Sequence, residues 1–262
     1  MRLLRAVCLS ALLGLVPGCK ALSSLTTTPA GEPEFSAAAE ANLKLGDEAA
    51  ERKDFLQAEK YYEHVRTKYP YLDVANEAEL KLADLSFAQE QYSESREKFQ
   101  SFIKLHPTHA KVDYAAYRAA LTHFADIPND FFLIPPSTEK DQTEVLGALT
   151  ALNDFVRTYP RSTHVPEAKE KIEEVRRRLA AHELYVASFY AKRQRWKAVA
   201  QRLEALLKNY PGTSLEEEAL FNLHDAYVHL SDADKAKQTL QRVIDRLPGT
   251  PAADKARRMM GS

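Results

Sequence analysis

Apolar residues recur three and four apart in five stretches of the chain, and each stretch runs into a proline. They are "YYEHVRTKYP" to Pro70, "KFQSFIKLHP" to Pro107, "ALNDFVRTYP" to Pro160, "RLEALLKNYP" to Pro211 and "TLQRVIDRLP" to Pro248. That spacing puts the apolar residues on one face of a helix. Proline then stops the helix, because it lacks the N–H and clashes with the preceding turn. The prolines are 37, 53, 51 and 37 residues apart, so the long gaps look like one 37-residue unit carrying insertions of 16 and 14 residues.

Aligning the stretches on their prolines exposes a register. Twelve residues before come Ala58, Ser95, Ala148, Val199 and Ala236, all small or modest. Eight before come Tyr62, Phe99, Leu152, Leu203 and Leu240; five before come Val65, Phe102, Phe155, Leu206 and Val243. Gly46, Ala83, Ala120, Ala187 and His224 occupy a further register in the preceding helix, the histidine departing from the small residues of the others. Small residues let paired helices approach closely, and large ones fill the groove between them. The pattern resembles the tetratricopeptide repeat, a helix-turn-helix unit. The expected fold is therefore all-α. About five such repeats, ten antiparallel helices, should stack as a superhelical solenoid over residues 36–258.

The insertions shape the organisation. Residues 126–144, "DIPNDFFLIPPSTEKDQTE", hold three prolines and the pair Phe131-Phe132, and read as an inserted loop. After Pro160, charges at helical spacing run unbroken, which predicts one long helix over 166–193. Ser162 or Thr163 would cap it, with Pro166 in its first turn. The chain then divides into an N-terminal half, 36–165, with repeats one to three, and a C-terminal half, 166–258, with the long helix and repeats four and five.

The N-terminus follows different rules. Arg2 and Arg5 precede an apolar run, Ala6 to Val16. A spanning helix needs roughly 20 apolar residues, so the run fits a signal-peptide core instead, and residues 1–18 are expected to be removed. The ending Val16-Pro17-Gly18-Cys19 resembles a bacterial lipobox. Cys19 is then the lipidation site: its thiolate takes a diacylglyceryl group as a thioether, and its freed amine an N-acyl chain. Two or more chains hold a protein firmly on a bilayer. Residues 19–35, rich in Ser, Thr and Pro, read as a flexible tether. Cys8 lies in the removed segment, so the mature chain can form no internal disulfide. Lys20 stands where an aspartate would retain a lipoprotein in the inner membrane, which by that family rule implies the outer membrane, facing the periplasm.

Composition narrows the function. Removing residues 1–18 leaves 34 basic residues against 37 acidic ones, unsuited to nucleic acid. Eight glycines argue against phosphate loops. No catalytic constellation emerges, and no cofactor beyond the lipid on Cys19 is implied. His106 and His109 lack a third ligand, so no metal site is expected. Glu216 to Glu218 read as a solvated charge run at a helix start, favoured by the macrodipole. In the first helices of repeats two and three, Leu80, Phe87, Tyr117, Leu121 and Phe124 fall on one face. They suit either an extended-peptide groove or packing beneath neighbouring helices or the Phe131-Phe132 loop.

Longer stretches carry a more specific likeness. "HELYVASFYAKRQRWKAVAQRLEALLKNYPGT" (182–213), "DQTEVLGALTALNDFVRTYPRS" (141–162) and "EEEALFNLHDAYVHL" (216–230) resemble the BamD/ComL family, lipoproteins of the outer-membrane β-barrel assembly machinery. The resemblance implies a non-enzymatic scaffold. Its partners would be the POTRA domains of the barrel-forming subunit and unfolded outer-membrane barrel proteins, with room for other accessory lipoproteins. Arg193, in "AKRQRW", matches the arginine such proteins turn toward the POTRA domain. The alternative is a pilotin-like repeat lipoprotein serving a secretin or pilus.

Overall fold

The computed structural model describes residues 33–127 and 141–261. Residues Met1–Phe35 form a unit of their own, of which 33–35 are described; the second unit begins at Ser36. Cys19, the signal segment 1–18, most of the 19–35 tether and the Phe131-Phe132 pair lie outside the described residues.

Among the described residues there are eleven helices and no strands: α1 (Ala39–Glu51), α2 (Phe55–Lys68), α3 (Asp73–Ala88), α4 (Tyr92–Leu105), α5 (Val112–Ala125), α6 (Thr143–Thr158), α7 (Val165–Ala191), α8 (Trp196–Asn209), α9 (Glu216–His229), α10 (Ala233–Arg246) and α11 (Pro251–Gly261). Each packs on the next in chain order, and α1, α3, α5 and α7 also touch in succession. The second unit is therefore a stack of helical hairpins, a superhelical tetratricopeptide-like fold. One layer of it is built from the odd-numbered helices.

Local chemistry repeats with the helices. Every even helix from α2 to α10 stops two residues before its proline. The five capping residues Tyr69, His106, Tyr159, Tyr210 and Leu247 share nearly one conformation, φ −121 to −128° and ψ 47 to 59°. A following proline disfavours the α region, so the residue before it opens out and the helix ends. The turns inside four of the hairpins repeat too. Lys53, Glu90, Gln194 and Ser231 adopt positive φ of 55 to 61°, and the N–H of the next residue reaches back to Ala49, Ser86, Tyr190 and Tyr227. These are left-handed helix caps built without glycine, which strains each of them. Replacing any one by glycine should stabilise the protein by up to about 1 kcal/mol, and the fourfold variant should show the summed rise in melting temperature.

The core follows the register. Tyr62, Phe99, Leu152, Leu203 and Leu240 are all buried, as are Val65, Phe102, Phe155, Leu206 and Val243. His224, the exception among small residues, fits because its Nδ1 lies 3.1 Å from the Ala236 carbonyl oxygen of the paired helix. Repeat two makes the mirror bond: Ser95 donates to the Ala83 carbonyl at 2.9 Å.

Three expectations need correction. The long helix α7 starts at Val165 with His164 as its uncapped N-terminal neighbour, while the Ser162 hydroxyl accepts from the His164 N–H, two residues too early to cap it. An eleventh helix follows the fifth proline: Thr250 accepts from the Ala253 N–H, Pro251 opens the first turn, and Ala252, Ala253 and Ala256 are buried. Glu216 is not part of a solvated face. It is buried, pairs with Arg246 at the end of α10, and accepts from the Gly212 N–H at 2.7 Å.

Candidate functional site

The odd-helix layer carries a ladder of charges whose period is one repeat. Lys44, Lys81 and Arg118 stand 37 residues apart, as do Asp47 and Asp84. Because α1, α3 and α5 are neighbours, the second and third cations reach the acid of the repeat before: Lys81 to Asp47 at 2.9 Å, Arg118 to Asp84 at 2.7 Å. Tyrosines close the rungs. Tyr62 donates to Asp47 at 2.7 Å and Tyr114 to Asp84 at 2.6 Å. The third repeat has Leu121 at the acidic position, so the ladder ends there.

Two cavities meet at Lys81 and Asp84, of about 500 Å³ and 350 Å³. The larger reaches Lys111, Tyr114 and His164; the smaller reaches Asp47, Phe55 and Tyr62. Together they form a trough along α1, α3 and α5 with fixed charges in its floor and aromatic rings at its sides. Such a trough can hold an extended polypeptide through its main-chain polar groups and side chains.

Burial shifts the titration of this floor. Asp84 is held above the ordinary carboxylate range, because desolvation outweighs Arg118 and the Tyr114 hydroxyl. Burial, then the Asp84 charge, pushes the Tyr114 phenol up; burial, then the Asp47 bond, does the same to Tyr62. The sign for stability follows. A carboxyl whose folded value is raised contributes stability that is complete below its unfolded value and lost as pH rises through the folded one. Asp84→Asn should remove that component. Urea titrations should show native stability gaining on the variant as pH falls from neutral toward the usual carboxylate range.

The residues expected to line an apolar groove are placed differently. Leu80 and Tyr117 are core residues, only 2% and 3% exposed. Leu80 packs with Phe99 and Phe102, and Tyr117 stacks on His164 and tilts against Phe155. Phe87, Leu121 and Phe124 are half-buried. The Arg118 guanidinium covers the Phe87 ring at 4.1 Å and the Lys171 ammonium lies 4.6 Å from the Phe124 ring. The open apolar groove is thus corrected to a polar trough, with the buried Leu80 behind its charged lining. Packing against the paired even helix and the next odd helix takes up the remaining apolar faces.

Arg193 occupies a separate surface. It is exposed in the turn between α7 and α8, its guanidinium 3.5 Å from the Phe189 ring centroid and its Nη1 donating to the Phe189 carbonyl at 3.0 Å. A cation on the last carbonyls of a helix is favoured by the dipole, and the ring holds its plane. Tyr185, Phe189 and Arg193 follow one another at helical spacing, all exposed. The next turn adds Trp196, stacked at 3.8 Å on His229. This end of the long helix therefore presents an aromatic and cationic stripe. His106 is 3.0 Å from Glu79 and His109 meets Phe102 edge-on. Among the described residues no three His, Cys, Asp or Glu side chains gather as a metal site, and no helix is long and apolar enough to cross a membrane.

The family model YfiO, described as "Outer membrane lipoprotein", matches residues 37–243, all five repeats up to the last turn of α10. The chain belongs to the YfiO family of outer membrane lipoproteins. Its similar proteins include two named outer membrane protein assembly factor BamD. The Haemophilus influenzae protein is 29% identical over 94% of this chain and 91% of its own length. The Pasteurella multocida protein is 29% identical over 74% of this chain and 76% of its own. Among solved structures, the tetratricopeptide-repeat protein TTC0263 of Thermus thermophilus has 16% identity and a TM-score of 0.35, covering 86% of this chain and 97% of that one. PilW, a type IV pilus biogenesis factor, has 12% identity and a TM-score of 0.24, covering 84% and 99%. The repeat assignment for this YfiO-family chain rests on its own register and helix pairing.

The family resemblance singled out Arg193 but not the aromatic residues beside it, and the charge ladder was missed. The ladder was accessible: it needs the 37-residue period, already plain in the apolar positions, applied to charged ones.

Proposed function

We propose that this chain is a non-enzymatic assembly factor for outer-membrane β-barrel proteins, held to the outer membrane by acyl chains on Cys19 and facing the periplasm. In this reading the trough along α1, α3 and α5 receives segments of unfolded barrel proteins, and the stripe ending at Arg193 docks on POTRA domains of the barrel-forming subunit. One observation carries the reading: a protein named outer membrane protein assembly factor BamD aligns with the chain nearly end to end. Two features support the division of labour. The trough offers main-chain-sized space over fixed charges, which suits extended segments of varied sequence. The Arg193 stripe is aromatic and cationic, the composition of binding hot spots.

Affinity purification of the tagged chain from detergent-solubilised envelope tests it. A POTRA-containing barrel subunit should co-purify, and Arg193→Ala should weaken that recovery roughly tenfold or more. Arg193→Lys should restore it only in part, since an ammonium cannot reproduce the planar contact with Phe189. Recovery of a secretin in place of the barrel subunit would overturn the assignment in favour of a pilotin-like role.

A further inference from the structure

Large apolar side chains are exposed at the edge where the first two repeats turn. Tyr71 is 98% exposed, Leu105 64% and Leu72 49%. Tyr71 and Leu72 form the turn from α2 to α3, and Leu105 is the last residue of α4. Antiparallel pairing brings these ends to one edge, and Leu105 and Arg66 line a shared cleft. Lys68 and Lys104, both exposed, flank the patch. The same edge receives the chain from the N-terminus: the Tyr69 hydroxyl donates to the Ala37 carbonyl at 2.9 Å.

We propose that this edge, Tyr71 and Leu72 with Leu105, rests on the lipid surface and orients the stack against it. The proposal relies on the lipidation of Cys19 set out above. Residues 20–36 could carry Ala37 no more than roughly 60 Å from the lipid even if fully extended. The edge where they enter is the part of the stack nearest the anchor along the chain. Its chemistry matches an interface. A tyrosine ring sits at headgroup level, leucines dip into the acyl boundary, and lysines bury their stems while their ammonium groups meet lipid phosphates. Three apolar side chains bind a bilayer weakly alone. Tethering makes the contact intramolecular, so a weak contact suffices to set orientation. At the opposite edge Leu56 is exposed at the start of α2, and in later repeats Phe189 and Leu230 are exposed at the ends of α7 and α9.

The chain has one tryptophan, Trp196, at the start of α8 and hence on the opposite edge. The full chain is purified from membranes, its intact mass is measured for acylation, and it is reconstituted into vesicles of phosphatidylethanolamine and phosphatidylglycerol with and without brominated acyl chains. Tyr71→Trp in a Trp196→Phe background should emit at shorter wavelength on vesicles and be quenched severalfold more by brominated lipid than Trp196 of the unaltered protein. Adding Leu72→Ser and Leu105→Ser should reduce that quenching while leaving the acyl mass unchanged. An acylated chain whose Tyr71→Trp is quenched no more than Trp196 overturns the lipid contact alone. So does a blue shift without bromine quenching, which would place a second protein on the patch. A chain whose mass shows no acyl groups overturns the anchor and, with it, this contact.

Discussion

Phe99→Ala should lower stability by about 3–5 kcal/mol, and Leu203→Ala by about 2–5 kcal/mol. Both side chains are fully buried eight residues before a proline, at the same point of the hairpin groove. Alanine would leave a cavity that the surrounding helices can only partly close. The consequences should differ in place. Phe99 packs with Leu80, Ala83, Phe102 and Ala115, all between α3 and α5. Leu203 belongs to a larger core that runs from Ile127 to Ala256. Repeat proteins are close to one-dimensional, each unit contacting its neighbours, so damage is felt locally first. Hydrogen exchange should show Phe99→Ala releasing amides of α3 to α5 while α8 to α10 keep their protection, and Leu203→Ala doing the reverse. Equal loss of protection along the whole chain in both variants would show instead that the stack unfolds as one cooperative unit.

That register was legible because it is enforced twice. The prolines fix where each even helix stops, and the apolar spacing fixes which face turns inward, so the helix ends could be counted from sequence. The long helix was readable for a related reason: no breaker interrupts Val165–Ala191, and Pro166 marks its beginning. What escaped depends on neighbours across repeats. Leu80 and Tyr117 share a helix face with Phe87 and Phe124 in sequence, but whether that face meets solvent is decided by the adjacent odd helix. Asp84 and Arg118 show no local signature; they become a pair only because α3 and α5 lie side by side. Glu216 looked like one of three equivalent acids. Arg246, arriving from 30 residues away, selects it for burial. The final helix was overlooked because it follows the last proline that defined the repeat, although Thr250-Pro251 is an ordinary helix start.

Gly46→Ala should destabilise the protein by about 1–3 kcal/mol, even though alanine is the better helix former by about 1 kcal/mol. An added Cβ would sit 2.5 Å from Cε1 and 2.8 Å from Cδ1 of Tyr62, with the Tyr61 Cβ at 3.2 Å. Such distances require something to move, and the ring has little freedom. Tyr62 is buried, fills the groove between α1 and α2, and is held at its far end by the hydrogen bond to Asp47. Shifting it would break that bond and disturb the first rung of the ladder, which Lys81 shares. The effect should therefore reach beyond α1. Tyr62→Leu, which removes the atoms that clash, is costly by itself but should make the added methyl group at position 46 far less harmful. A double-mutant cycle by urea denaturation reads that coupling directly. Additive losses would mean that α1 tilts away as a unit, and that the close approach of these two helices is set by the turn at Lys53 instead of by the missing side chain of Gly46.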